Sequence, residues 1–196
     1  MAPKDRQEGL LHRQWPKDAK QSAVTFLLYP VDNRWHVVVM KRVEYDGVHS
    51  GQISLPGGQK EAVDKDLLAT AQREFEEETG VFIPYDAYVG PLSDLYIPPS
   101  NFLVQAFVAV LEEEPHFKPD ASEVQELISL DLESLFSPTN FKQDEVVMRG
   151  GGGNPQTIKA PCYALKGLRI WGATAMIISE IQQLMEDNSM PTLLLQ

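Results

Sequence analysis

Residues 51–81 read GQISLPGGQKEAVDKDLLATAQREFEEETGV, and the rest of the chain is best understood outward from them. Pro56-Gly57-Gly58 is a strong turn signal. Asp66–Thr79 follows as a helix, stopped by Gly80 in the usual C′ position. Leu67, Leu68, Ala71 and Phe75 supply its packing stripe. Each helical residue advances by about 100°, so positions i, i+3 and i+4 share a face. Glu74, Glu77 and Glu78 stand at that spacing, and Glu76 points well away from them. Carboxylates crowded on one face repel each other by a few tenths of a kcal/mol per pair. A hard divalent cation turns that repulsion into binding, because oxygen ligands on a rigid element are what Mg²⁺ selects. For Glu-Phe-Glu-Glu-Glu taken alone, a solvated helix face is the competing reading.

Outward from this stretch, strand and helix signals follow in an α/β order with no internal repeat and no linker. Residues 5–15 read as a short helix. Ser22–Val31 and Trp35–Arg42 are rich in β-branched and aromatic residues and form a hairpin around Asp32-Asn33. Gln52–Leu55 is a short strand. Tyr88–Ile97 and Phe102–Leu111 pair around Pro98-Pro99-Ser100-Asn101. Glu126–Leu130 is a strand and Asp131–Phe136 a short helix. Glu145–Arg149 and Thr157–Tyr163 form a hairpin around Gly150–Asn154. Trp171–Met185 is the last helix, with Trp171, Ala175, Ile178, Ile181, Leu184 and Met185 at helical spacing. The order predicts a mixed sheet between helices.

At 196 residues the chain is expected to be one domain over 1–196, with a core at about 22–187 and short extensions at both ends. No apolar run approaches the roughly 18–20 residues that span a bilayer. MAPKDRQEGLLHRQW lacks an apolar signal-peptide core, and the C-terminal PTLLLQ is expected to dock onto the domain. A single cysteine, Cys162, closes no internal disulfide, which fits a reducing cytoplasm. The net charge of −11 argues against a nucleic-acid partner, which needs Lys and Arg to neutralise phosphates. A small anionic substrate stays compatible, because bound metal ions invert the local field. No membrane partner is expected, and a homodimer stays open.

The run Leu55-Pro56-Gly57-Gly58, Asp64 and Arg73-Glu74-Phe75-Glu76-Glu77-Glu78-Thr79-Gly80-Val81 resembles the Nudix box. Its second half matches that pattern at every specified position. Its first half departs twice: Asp64 replaces a Glu, and one extra residue separates it from Arg73. The resemblance implies a Nudix-type α/β/α sandwich and a pyrophosphohydrolase using Mg²⁺ or Mn²⁺. Cleaving a pyrophosphate needs neutralised phosphate oxygens and an activated water. We assign Glu74, Glu77 and Glu78 as metal ligands, with the carbonyl near Gly58 as a further one. Arg73, one helical turn before Glu77, is close enough to orient that carboxylate. Asp64 is the acidic partner of Arg73 that the resemblance implies, and Glu76 is solvated. Gly57 and Gly58 permit a close backbone approach to a ligand.

The resemblance narrows further. His49-Ser50-Gly51-Gln52-Ile53-Ser54-Leu55-Pro56-Gly57-Gly58 and Ile170-Trp171-Gly172-Ala173-Thr174-Ala175 are similar to segments of the coenzyme A pyrophosphatase-like branch, as is the longer Asp64–Arg73 spacing. Leu55 replaces a Phe of that branch. Gly47 stands where its substrate-associated motif places an Arg, removing a phosphate donor. Lys41 and Arg42 are nearby cations that could compensate, and His49 is either a phosphate donor or a turn-fixing residue. The expected substrate is coenzyme A or an acyl-coenzyme A. ADP-ribose, dinucleoside polyphosphates and modified nucleoside triphosphates are the alternatives, together with a Nudix-fold domain that binds without turnover.

The general base is expected outside the ligand set. Ala121-Ser122-Glu123-Val124-Gln125-Glu126 offers Glu123 and Glu126, and the resemblance favours Glu123; two exposed loop acids are the other reading. Gly150–Gly153 lacks the Lys-Ser/Thr of a phosphate loop and reads as a mobile hairpin loop. Cys162 reads as a buried structural thiol, and Trp171 as core.

Overall fold

The computed structural model describes residues 15–43, 52–148 and 156–187. The expected helix at 5–15 (Trp15 apart), Gly47, His49, Gly51, the Gly150–Gly153 loop and the C-terminal PTLLLQ lie outside the described residues.

A long hairpin organises the sheet. β1 (Lys20–Val31) and β2 (Arg34–Arg42) run antiparallel, with Leu28 opposite Val37 and Val31 opposite Arg34. Asp32 and Asn33 make the turn at φ 48° and 62°. Two left-handed residues in a row suit the twist of the strands, and Asp and Asn tolerate that conformation better than other side chains. Beyond the closed end the strands part, and residues 53–59 fill the fork between them. β3 (Ile53–Ser54) bonds β2 at Met40 and Lys41, and β4 (Gly57–Gln59) bonds β1 at Ser22–Val24. The Thr25 N–H donates to the Pro56 carbonyl at 2.9 Å, tying the apex of the insert to β1.

The outer edges of the hairpin are also taken. β7 (Phe102–Val110) lies parallel to β1, and β8 (Val124–Asp131) lies antiparallel to β2. β5 (Tyr88–Pro91) and β6 (Leu95–Ile97) both pair with β7, so the strand expected over 88–97 is interrupted. Leu92 and Asp94 fill the gap. Leu92 is buried with its N–H on the Ala106 carbonyl at 2.8 Å, and Asp94 accepts from the Gln105 amide at 3.0 Å. The mixed sheet expected from the element order is present.

α1 (Leu67–Thr79) covers one face of this sheet. Asp66 caps its start by accepting from the Ala69 N–H at 2.8 Å. Gly80, at φ 71°, ends it by donating to the Glu76 carbonyl. Phe75 and Ala71 are fully buried, and Leu67 and Leu68 are half-buried at the rim. Strand alternation decides what they meet: Leu27, Tyr29 and Val38 face α1, and Phe26, Leu28, Val37 and Val39 face away. Truncating Phe75 would cost about 3–5 kcal/mol, the usual range for a buried Phe.

The opposite face meets α2 (Leu132–Leu135), a second sheet and α3 (Gly172–Glu186). That sheet orders β9 (Phe141–Met148), β10 (Gln156–Leu165) and β11 (Leu168–Trp171) side by side. β11 was not expected. Its turn, Lys166-Gly167, has φ 50° and 79°, and a left-handed lysine is hard to foresee from sequence. Trp171 is likewise corrected: it is an extended, half-buried residue opposite Cys162 on β10, and the helix starts after it. Cys162 is fully buried, and burial pushes its thiol up, as suits a structural role. Tyr163, Ile170, Ile178 and Ile181 share one core with Phe26 and Val39. The layers are thus α1, mixed sheet, then α3 with the small sheet. No helix among the described residues is long and apolar enough to cross a membrane.

Candidate active site

The site lies where the fork insert meets the acidic face of α1. Gly57 passes so close to β1 that a Cβ there would overlap the Ala23 carbonyl and the Val24 backbone, and its φ of 148° also favours glycine. This approach aims the Gly57 N–H at Glu78, whose Oε2 accepts it at 2.7 Å. Gly58 lies against Glu74, and a Cβ at Gly58 would overlap that carboxylate. The two glycines therefore press the insert onto two of the three glutamates.

Arg73 organises the other side. Its Nε and Nη2 grip the two oxygens of Asp64 at 3.0 and 2.9 Å, its Nη1 reaches Glu74 and Glu77 at 2.9 Å each, and Nη2 also donates to the Gln59 carbonyl at 3.3 Å. The Asp64 partner implied by resemblance is in place despite the shorter acid and the extra residue. Asp64 also accepts from the Glu61 N–H and the Thr70 hydroxyl. The Arg73 guanidinium holds the Asp64 carboxyl down to about 2 against the effect of burial, and Asp64 in turn raises Arg73.

The remaining acids are not so compensated. Glu78 is 2% exposed, and burial pushes its carboxyl up to about 8; the Gly57 N–H and Arg42 pull the other way, and the charges of Glu74 and Glu123 add to the rise. Glu74 is raised by burial, lowered by Arg73 and raised by Glu77 and Glu123. Glu77 is exposed beside Arg73, and Glu76 is exposed with no partner among the described contacts that bears on the site. As the side chains stand, no three carboxylates, imidazoles or thiolates among the described residues converge as a metal-holding group, since Glu74 and Glu77 are drawn to Arg73. The donors nevertheless suit a hard divalent cation. Glu74 and Glu78 offer carboxylate oxygens penned against a glycine backbone, and their negative charge is raised in free energy by burial and by neighbouring carboxylates.

Glu123 sits on the loop before β8, and its charge is felt at both Glu74 and Glu78. Its carbonyl accepts from the Val43 N–H at 3.4 Å. Its own N–H donates to the Asp120 carbonyl at 3.1 Å, and the Asp120 side chain accepts from the Ser122 N–H and hydroxyl. This Asp-Ala-Ser turn positions Glu123 and was missed in the sequence, although Asp two residues before Ser is a recognisable turn signal. Glu126 is not brought to the site. It pairs in register with Lys41, and both belong to the face turned away from α1. The register shift between Lys41 and Arg42 marks the point where the β8 ladder changes parity. Arg42, one residue further, projects on the α1 side with Nη1 3.6 Å from Glu78 Oε1.

Fold and site together define a class: a mixed-sheet sandwich with an arginine-organised glutamate helix against a Gly-Gly insert. The family model for the NUDIX domain matches residues 19–149, and the chain belongs to the Nudix hydrolase superfamily. It is 32% identical over 140 residues to the mitochondrial coenzyme A diphosphatase NUDT8 of Homo sapiens, covering 71% of this chain and 58% of that protein. It is 31% identical over 100 residues to the peroxisomal coenzyme A diphosphatase NUDT7 of Mus musculus, covering 51% of this chain and 42% of that one. The chain thus spans little more than half the length of the human relative. Among solved structures, a MutT/nudix family protein from Enterococcus faecalis superposes with a TM-score of 0.58 over 94% of this chain and 70% of that one, at 14% identity. That likeness establishes the shared fold.

Proposed function

We propose that the chain hydrolyses the diphosphate bond of a nucleoside diphosphate joined to another group, with coenzyme A or an acyl-coenzyme A as substrate and Mg²⁺ or Mn²⁺ as cofactor. The observation that carries the reading is the meeting of Glu74 and Glu78 at the Gly57-Gly58 insert, with Arg73 holding the helix face in order and Glu123 near enough for its charge to act on both. Glu74, Glu77, Glu78 and the Gly58 carbonyl are the groups that would hold the cation. A bound divalent cation would supply neutralisation of the phosphate oxygens and a water of lowered pKa. Arg73 orients Glu77 and Glu74 by charge-assisted bonds. Arg42 stands on the same face as the carboxylates and is the cation available to the substrate's phosphates. Glu123 takes the proton of the attacking water on a carboxylate oxygen. The two relatives named as coenzyme A diphosphatases support the substrate, as does the contact between the two branch-like segments, where the Thr174 hydroxyl donates to the Ile53 carbonyl at 3.3 Å. The lone buried Cys162 supports a reducing compartment, for which we propose the cytoplasm.

The experiment is a panel of coenzyme A, acetyl-coenzyme A, ADP-ribose, dinucleoside polyphosphates and nucleoside triphosphates, each with Mg²⁺ and Mn²⁺ and read by product mass. Coenzyme A should give 3′,5′-ADP and 4′-phosphopantetheine. The glycine at position 47 predicts a raised KM rather than a lowered kcat, provided the missing contact would be equal in ground and transition states. A kcat/KM for ADP-ribose far above that for coenzyme A would leave the hydrolase and remove the substrate assignment. No cleavage of any compound with either metal would remove both.

A further inference from the structure

The two arginines of the site are held very differently. Arg73 is locked by Asp64, Glu74, Glu77 and a backbone carbonyl. Among the described residues Arg42 has one ion-pair partner, Glu78, at 3.6 Å, which is beyond hydrogen-bond reach. Glu78 is fixed at its other oxygen: Oε2 is committed to the Gly57 N–H at 2.7 Å. Oε1 accepts no hydrogen bond among the described residues, and it is the oxygen that Arg42 faces. The Glu78 side chain is 2% exposed and that of Arg42 is 30% exposed, so the carboxylate cannot turn to water while the guanidinium can.

We propose that Arg42 is an exchangeable counter-ion, which pairs with Glu78 Oε1 while no cation is there and passes to the substrate's diphosphate once a divalent cation takes that oxygen. This rests on the metal site proposed above. A cation on Oε1 and a guanidinium within a few ångströms of the same atom are like charges in a poorly solvated place, and they cannot both keep that partner at full strength. A guanidinium displaced from one carboxylate oxygen is suited to a diphosphate, because its planar fork meets two phosphate oxygens at once. Arg42 ends β2 beside the fork insert, with its stem partly in solvent, so the movement needs side-chain rotation alone. Two consequences follow. Metal without substrate binds more weakly than the carboxylates would allow, and metal and substrate each strengthen the binding of the other, since such coupling is reciprocal.

The test measures Mn²⁺ alone, by the paramagnetic resonance of the free ion, on the full chain without substrate. Arg42→Gln should tighten Mn²⁺ binding by on the order of tenfold, the lower end of the roughly 10–100-fold changes that groups beside metal ligands produce. The same variant at saturating Mg²⁺ should raise KM for coenzyme A at least tenfold, about 1.4 kcal/mol or more. Arg42→Lys keeps the charge and should lie between the two in both measurements. Unchanged or weaker Mn²⁺ binding in Arg42→Gln overturns the proposal, and so does tighter binding with an unchanged KM. Glu78→Gln separates this failure from that of the metal site. If Glu78→Gln binds Mn²⁺ like the unmutated chain, the site itself is misassigned; if it loses Mn²⁺ while Arg42→Gln changes nothing, only the exchange is wrong.

Discussion

Asp64 shows how a sequence departure is absorbed by geometry. Aspartate is one methylene shorter than the glutamate of the Nudix pattern, and the loop before Arg73 is one residue longer; the two changes leave a two-pronged grip on the guanidinium. Asp64→Asn should therefore destabilise the chain by about 2–4 kcal/mol at neutral pH, somewhat less than the roughly 3–5 kcal/mol of breaking a fully buried pair, because the Arg73 side chain is partly exposed. The sign with pH follows from the carboxyl being held at about 2, below its ordinary 3.8. A depressed carboxyl adds stability above its unfolded value and loses it as pH falls through its folded value. Urea midpoints of the two proteins should differ fully at pH 5 and above, and converge between about pH 4 and 2. A gap that persists undiminished at pH 2 would show that the pair is not what stabilises the fold. Glu123 makes a second residue-scale expectation. Glu123→Gln should lower kcat by about 10²–10⁴-fold, as for a general base, with Mn²⁺ affinity unchanged. A parallel loss of Mn²⁺ affinity would make it a ligand, and no change in either would make it a surface acid.

At the scale of the element, α1 assigns roles by its turn. Glu77→Gln and Glu78→Gln should each remove most activity at saturating Mg²⁺ with the fold retained, because each subtracts a charge from the proposed ligand set. Glu76→Gln, exposed on the other side of the helix, should be nearly silent. Equal losses in all three would mean that general helix charge matters rather than the shared face. The end of α1 also steers the loop that carries Glu123. The Lys118 N–H donates to the Thr79 carbonyl at 2.8 Å, and a Cβ on Gly80 would come within 2.6 Å of the Lys118 carbonyl. Gly80→Ala meets both that contact and a φ of 71°, so it should cost about 1–3 kcal/mol. It should also lower kcat more than it raises KM, because the strap leading to Glu123 is displaced. A stability loss with kcat intact would make Gly80 a helix stop and nothing more. The helix itself was legible to within a residue, since its apolar period and terminal glycine are local signals. β11 was not, because its lysine adopts a conformation set by the strands on either side.

Over the whole molecule, the net charge of −11 and the raised carboxyls of the site point the same way: ionising Glu74 and Glu78 together is costly in the folded chain, and the proposed cation would offset that cost. Saturating Mg²⁺, at about a hundred times its Kd, would stabilise the folded state by about 2.7 kcal/mol. For a chain of this size that is a rise in Tm of about 5–10 °C over the same protein in EDTA. Scanning calorimetry with and without chelator checks this, and a Tm indifferent to metal would be incompatible with the assigned ligands.

By itself the sequence determined the register of the glutamates on α1, the hairpin turn at Asp32-Asn33, the order of the main strands and the family, because each depends on neighbours within a few residues. The tertiary structure alone decided which charges meet. Gly57 and Glu78 are 21 residues apart and are joined by the wedge of the insert into the β1–β2 fork. Lys41 and Arg42 are adjacent and similar in type, yet only Arg42 reaches a glutamate of the helix, since successive strand residues take opposite faces. Glu123 and Glu126 are three residues apart, yet Glu126 is held in the β8 ladder opposite Lys41 while Glu123 lies on the preceding loop, where its charge acts on Glu74 and Glu78. Burial of Glu78, and with it the rise of its carboxyl, comes from layers folded over it from distant parts of the chain, and no local pattern encodes that.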